Sequence, residues 1–559
     1  MAYPTWYSAV FLLASSVGAT VVAAGCGGDG GNGGPGDAVD ANPNSDGANG
    51  PGVDAAPPPP PIACDEPGAL PTPTGPTYYL SDCQTGAAAG CVPGDDANDG
   101  LTMATAKRTP DAIDFNALPA GTQVLFARGG AWTDVFIQLE NLNVTADEPL
   151  FLDAYGEGDA PLLQASTGTL LEFGRFHNEN EVVDDGGYVV RNLHLRGEGE
   201  ANWGVWIRDH VHHIVLDSLE IDGFEIGIHA QSADGGGINN MAIRRNNIHH
   251  NAGMGMLSNF HDTVIECNNI SYNNESGSGF NHGIYMGGGG ANAVVRNNVL
   301  AENSVNGGRC TGGNITMHGV WNNVLFEGNT ITQTQSELGC YGLSMTAGYL
   351  TPESMDNVVL RGNRLINLGC AICISAAPGI QVENNLIVNN TGGGQIGISV
   401  GENDPDDASS AGAVLRNNTI ALTGSIGIAL QGASGHQVTV VSNLITHAPG
   451  STNPLCFGVP SPVGANTVID YNLCDLGGGG AWAPGFDDLG DAQAAGFEAN
   501  GLATAAGLLM TPAAGNDWND ALSGSSAAIN AGHPSLSTTV DRTGTERSSP
   551  DIGAREYAP

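Results

Sequence analysis

Val295-Arg296-Asn297-Asn298-Val299, followed by Asn314-Ile315-Thr316-Met317, is one unit of a pattern that runs from about residue 190 to residue 475. Its first half recurs as an asparagine ladder at Asn192, Asn246/Asn247, Asn268/Asn269, Asn297/Asn298, Asn329, Asn363, Asn384/Asn385, Asn417/Asn418, Asn443 and Asn472. Its second half recurs as small-apolar-x-apolar, beginning at Gly204, Gly227, Gly255, Gly283, Asn314, Gly342, Ala371, Gly397 and Gly427. A fixed-order unit repeated roughly every 20–35 residues predicts a solenoid. Short strands separated by Gly and Asn make it an all-β solenoid of stacked parallel coils.

Alternation along each short strand sends Val205, Ile228, Met256, Ile284, Ile315, Leu343, Ile372, Ile398 and Ile428 inward, with the residue two further on. No coil buries its own apolar side, so stacking supplies the core. Asn tolerates left-handed φ, bonds to backbone at turns and pairs with an Asn above and below. The ladder is therefore structural. In the doublets either Asn could occupy the column.

Net charge is −41, from 17 Lys+Arg against 58 Asp+Glu. This disfavours nucleic acid and anionic membrane surfaces as partners. It also weighs against a polyanionic polysaccharide, unless an Arg patch or bridging calcium reverses the local sign. The one lysine, Lys107, precedes the repeats.

Residues 8–25 are apolar and small, ending in Val-Ala-Ala-Gly before Cys26. The segment resembles a bacterial lipoprotein signal, with Cys26 as the lipidation site. It departs from that pattern in lacking Lys or Arg before the apolar run and in carrying Ala23 where Leu is usual. Residues 27–76 have too few large apolar residues to fold and form a tether ending in the stiff Pro57–Pro61 run. The expected organisation is a signal at 1–26, the tether, an N-terminal cap and first coils at 77–150, repeats at 151–480 and a C-terminal capping segment at 481–559. The expected product is a monomer, exported and held by lipid at a bacterial membrane, outer membrane or cell surface. Ten cysteines besides Cys26 suit disulfides in an exported chain. Cys83–Cys91, Cys310–Cys340 and Cys456–Cys474 are the natural pairs. Cys370 and Cys373 form a CxxC suited to a disulfide or a free thiol rather than zinc.

Upstream stand Tyr78-Tyr79-Leu80-Ser81, Gly94-Asp95-Asp96-Ala97-Asn98-Asp99-Gly100-Leu101 and Leu118-Pro119-Ala120-Gly121-Thr122-Gln123-Val124. Downstream stand Ala527-Ala528-Ile529-Asn530-Ala531-Gly532 and Asp551-Ile552-Gly553-Ala554-Arg555-Glu556-Tyr557. These segments resemble the opening and closing motifs of secreted right-handed parallel β-helix proteins of the pectate-lyase-like superfamily, with Gln123, Asn530 and Arg555 as departures. The resemblance implies a right-handed parallel β-helix of about eleven or twelve coils. An amphipathic helix near 109–117 would close its N-terminal end, and the closing motif would cap the other. Lyase families that use a β-helix lysine are excluded, because the repeats have none.

The outward columns locate candidate chemistry. One reads Trp206, His229, Leu257, Tyr285, Thr316, Ser344, Cys373, Ser399, Ala429; the other reads Arg208, Gln231, Asn259, Gly287, His318, Thr346, Ser375, Gly401, Gln431. The early coils are rich in aromatics, His and Arg; the late ones are small and bland. Trp203, Trp206, Gln231, Asn259 and His261 are candidate carbohydrate contacts, since ring faces and neutral hydrogen-bonders suit sugars. Arg208, His229, His282, Tyr285 and His318 are candidate catalytic residues for a polysaccharide lyase, which needs a base and a cation beside a uronate carboxylate. Arg244, Arg245, Arg296 and Arg309 are fallback bases. A hydrolase needs two carboxylates roughly 5–10 Å apart; the outward columns contain none, and Asp209, Asp217, Glu220 and Asp222 form no evident pair. Glu402, Asp404, Asp406 and Asp407 form a loop that would take calcium through oxygen ligands, although a solvated loop is the plainer reading. Three functions follow: glycan binding without turnover on the early coils, a polysaccharide lyase or glycosidase at that face, or a stalk or adhesin without a small-molecule site.

Overall fold

The computed structural model describes residues 64, 70–175, 183–230, 237–306, 309–310, 312–334, 337, 339–347, 352–391, 396–401, 406–431, 437–459, 466–508 and 520–558. Cys26, Gln231, Glu402 and Asp404, and the side chain of Arg309, lie outside these residues. The chain is a parallel β-solenoid of about 12 turns. Its first face is a 14-stranded sheet that starts with Thr77–Leu80 and ends with Val468–Asp470. The second face carries the short strands after the Asn turn, such as Val299–Ala301 and Thr330–Thr332. The third carries the small-apolar-x-apolar strands, such as Ile284–Met286 and Gly313–Met317. The inward residues of all three faces form one continuous core from Leu80 to Ala492.

The asparagines at the turn from first to second face are buried: Asn246, Asn268, Asn298, Asn329, Asn363, Asn385, Asn418, Asn443 and Asn472 are all at most 2% exposed. From Asn246 to Asn443, each backbone N–H and side-chain amide donates to the Oδ1 of the Asn in the next coil, at 2.9–3.1 Å. The second amide hydrogen goes to a first-face carbonyl, as from Asn329 to Val295. The doublets thus resolve by conformation. The left-handed position comes just before the column and is filled by Arg245, Cys267, Asn297, Gly328, Gly362, Asn384, Asn417, Ser442 and Tyr471. Asn192 occupies that left-handed position rather than the column. The column starts at the N–H of Leu219 and ends on the Glu498 carboxyl. Asn251, Asn273 and Asn303 build a second, shorter column one turn on.

At the end of the first-face strands, charges alternate in sign from coil to coil: Asp153, then Arg191, Asp217, Arg244, Glu266, Arg296, Glu327, Arg361, Glu383 and Arg416, each of these nine just before a left-handed residue. Ion pairs of 2.6–3.3 Å join each arginine to the acidic residue of the coil before it. Arg245 adds a second contact to Asp217 at 2.6 Å.

The ends differ from expectation. Residues 109–117 form two 3-10 turns, Pro110–Ala112 and Phe115–Ala117, rather than a helix. Ile113 is extended, and the Asp114 carboxylate accepts from the Asn116 N–H, which stops the first turn and restarts a second. The polar loop before it closes around Lys107, whose ammonium donates to the carbonyls of Asp96 and Asn98. At the far end, the helix Leu489–Ala494 packs Ala492 into the main core. The closing motif instead runs back along the side of the coils. There Asn384 donates to Val540, Asn417 to Asp551 and the Gly553 N–H to Ser442.

All three expected disulfides form, and Cys370 pairs with Cys373. A fifth joins Cys64 to Cys267, which sits in a left-handed turn 203 residues away.

Two outcomes follow. Asn329→Ala leaves two buried donors of Asn298 without an acceptor, so it lowers unfolding stability by about 3 kcal/mol, read from the denaturant midpoint. Burial pushes Glu498 up from 4.5 to about 8, so the folded chain holds a proton that the unfolded chain releases. Stability contributed by this group is full below pH 4.5 and is lost as pH rises through about 8. Melting temperatures across that range should fall more steeply for the parent chain than for Glu498→Gln.

Candidate functional site

Parallel pairing fixes the outward column of the third face. Gln138 pairs with Glu172, Glu172 with Trp206, Trp206 with His229, His229 with Leu257, Leu257 with Tyr285 and Tyr285 with Thr316. The column thus continues upstream into a carboxylate, which corrects the expectation that the outward columns contain no Asp or Glu. The coil holding Glu172 reads Leu170-Leu171-Glu172-Phe173, with Leu where the other coils have a small residue. Its strand also carries a register irregularity near Thr169. Both features hide it from the repeat pattern. Downstream, Thr316, Ser344, Cys373, Ser399 and Ala429 hold the expected column but are buried, at most 4% exposed. The accessible part of the column is therefore its early coils.

Two clusters occupy it. In the first, Trp203 and Trp206 lie 4.3 Å apart, and His229 stacks beside them at 5.6 and 5.9 Å. The Arg208 guanidinium lies 3.5 Å above the Trp206 ring and donates from Nε to the buried Glu172 carboxylate. Held there, Arg208 presents hydrogen-bond donors and no acceptor. Gly174, beside Arg208, has a φ of +79°, and a Cβ there would meet Val211 at 2.9 Å and Arg208 at 3.4 Å.

In the second cluster, Tyr285 stacks on His282 at 5.2 Å and meets His318 at 5.7 Å. His282 Nδ1 accepts from the Gly313 N–H and lies 3.3 Å from the Thr316 hydroxyl. Burial first, and the neighbouring His318 second, push His282 down to about 4. Glu353 lies with its side chain fully buried behind His318, 3.4 Å from Nδ1, and accepts from the Gly319 N–H. From Glu172 to the coil of Glu353, one beyond that of His318, is six coils, roughly 29 Å. That is far beyond the separation of a glycosidase carboxylate pair.

The structure brings Trp203, Trp206, Arg208 and His229 together, and separately His282, Tyr285 and His318. Asn259 is 5% exposed beside Phe260. His261 stands apart, in line with Asn239 and Ala291 where the first face begins. Asp217, Arg244, Arg245 and Arg296 belong to the first-face charge ladder. Glu220 and Asp222 pair with His249 and His194 on the second face. Asp407 accepts from the Glu353 N–H, and among the described residues no group of three or more His, Cys, Asp or Glu is arranged to hold a metal ion.

Residues 322–459 match the family described as right handed beta helix region. That match agrees with the parallel β-solenoid of about 12 turns, which is consistent with a right-handed β-helix. No curated protein matches the chain. Similar solved structures include a lacto-N-biosidase from Eubacterium ramulus, 16% identical, covering 59% of this chain and 67% of that one, with a TM-score of 0.37. Pectate lyase Pel9A is 13% identical, with 86% and 97% coverage and a TM-score of 0.39. The complex of XylC with xylose is 8% identical, with 86% and 98% coverage and a TM-score of 0.44. At such identities function does not transfer with the fold.

The depressed His282 gives an expected outcome. The folded chain binds fewer protons here than the unfolded chain between pH 4 and 6.5, so this group's contribution falls as pH drops through that window. An imidazole NMR titration should place His282 near 4; a midpoint near 6.5 would contradict its packing against Tyr285, Gly313 and His318.

Proposed function

We propose that this chain binds a neutral or weakly charged polysaccharide along the outward third face of its early coils, without turning it over. The carrying observation is the Trp203–Trp206–His229 stack with Arg208 held against Glu172. Part-exposed ring faces accept the C–H face of a sugar, and a fixed guanidinium donates to its hydroxyls. The charge paired within Arg208–Glu172 leaves little local field to attract a polyanion. Export and lipidation at Cys26, with a bacterial membrane or cell-surface location, belong to the same proposal. The apolar segment before Cys26 supports it, and so do five disulfides, which an oxidising compartment permits. The protein is proposed to act as a monomer.

A second reading, a polysaccharide lyase or glycoside hydrolase, rests on the His282–Tyr285–His318 cluster. A neutral, half-buried imidazole against a phenol is a proton-transfer arrangement.

Incubating the chain from Cys64 onward with neutral and uronate polysaccharides, with and without calcium, separates the readings. Binding predicts retention on a neutral polymer, no ultraviolet absorbance from unsaturated ends and no new reducing ends. Trp206→Ala should weaken retention at least about tenfold, a loss of about 1.4 kcal/mol. Absorbance that rises in the parent and vanishes in Tyr285→Phe would replace binding with lyase activity.

A further inference from the structure

Upstream of the aromatic stack, the same outward column ends in a recess of about 260 Å³. Its walls include Asp114, Phe115, Asn116, Phe136, Gln138 and Arg175. Gln138 pairs with Glu172, which pairs with Trp206, so the recess lies two coils from the Trp206 ring, roughly 10 Å. Its far side is closed by the 3-10 segment. Asn116 accepts from the Glu140 N–H at 2.7 Å and donates to the Gln138 carbonyl, and Asn141 donates to the carbonyls of Phe115 and Leu118. These bonds fix the segment across the end of the column.

The recess has the chemistry of a sugar site. Phe136 is 52% exposed, although it is large and apolar, and offers a ring face. The Arg175 side chain is 46% exposed, and its contact with Glu140 is loose, at 3.8 Å. Gln138 and Asp114 add an amide and a carboxylate, so donors and acceptors meet at one ring-sized space. Drug-sized pockets run from roughly 300 to 1,000 Å³; this one suits a single residue of a chain.

We propose that this recess is an end subsite, which takes the terminal sugar of a neutral glycan lying on the Trp203–Trp206–His229 stack. The groove would then recognise chain ends and not chain interiors. The inference rests on the glycan-binding reading of that stack.

Calorimetric titration of the full chain with cello- and xylo-oligosaccharides of increasing length tests it. The same sugars are compared with each end chemically blocked in turn. Blocking one of the two ends should weaken binding to the parent about tenfold. Phe136→Ala and Arg175→Gln should cost as much with open sugars and nothing further with the blocked one. Both side chains are well exposed, so unchanged melting temperatures are expected to accompany the loss. Equal affinity for open and blocked sugars, or wild-type affinity in both variants, would overturn the end subsite. If Trp206→Ala still abolished binding in that case, the stack would stand and only the recess would fall. A parent chain that binds none of these sugars would overturn both.

Discussion

The structure depends on one interaction: a buried asparagine whose side-chain oxygen accepts two hydrogen bonds from the asparagine of the coil before. A buried amide is costly unless its donors and acceptor are met. Here each is met only if the next coil arrives in register. The column therefore does two jobs. It closes the turn after a left-handed residue, and it fixes the register of every strand that follows. Ion pairs alternating in sign stand one step upstream and report the same register. Slipping one coil would put Arg beside Arg and Glu beside Glu, so the ladder penalises misthreading even where its exposed members add little stability.

Fixed register makes each outward position a column, and its members can vary without disturbing the core. The accessible stretch of the third-face column concentrates rings, one charge-paired arginine and the His–Tyr cluster. The late coils of that column are buried. Most arginines near the repeats are engaged in the first-face ladder, and the lone lysine is wrapped by carbonyls at the N-terminal end. The protein thus presents a ring-bearing strip with little net positive charge, which favours a neutral ligand over a polyanion.

Much of this was legible in the sequence. The inward residues, the ring cluster at Trp206 and His229 and the meeting of Tyr285 with His318 follow from period-2 alternation within a repeat. Three disulfides follow from short spacing: Cys83–Cys91 in the cap, Cys310–Cys340 between coils and Cys456–Cys474 near the end. What escaped was information carried between coils or hidden by irregularity. The charge ladder sits in the quoted Asn motifs, but its alternation appears only when coils are compared in order. Glu172 lies in a coil without the small-residue signature. Cys64 and Cys267 are too far apart in sequence for spacing to pair them. The small residues of the late outward column read as bland surface because size does not distinguish an exposed Ser from a covered one. The segment 109–117 has helical composition, but Pro110 and Asp114 favour local turns.

The most direct test of the account is a crystal structure of the chain with an oligosaccharide that it retains. The account predicts sugar rings against Trp203, Trp206 and His229, with hydroxyls on Arg208 and the terminal residue toward Phe136 and Arg175. Sugar bound on the first or second face, or against the His282–Tyr285 cluster with the tryptophans untouched, would contradict it.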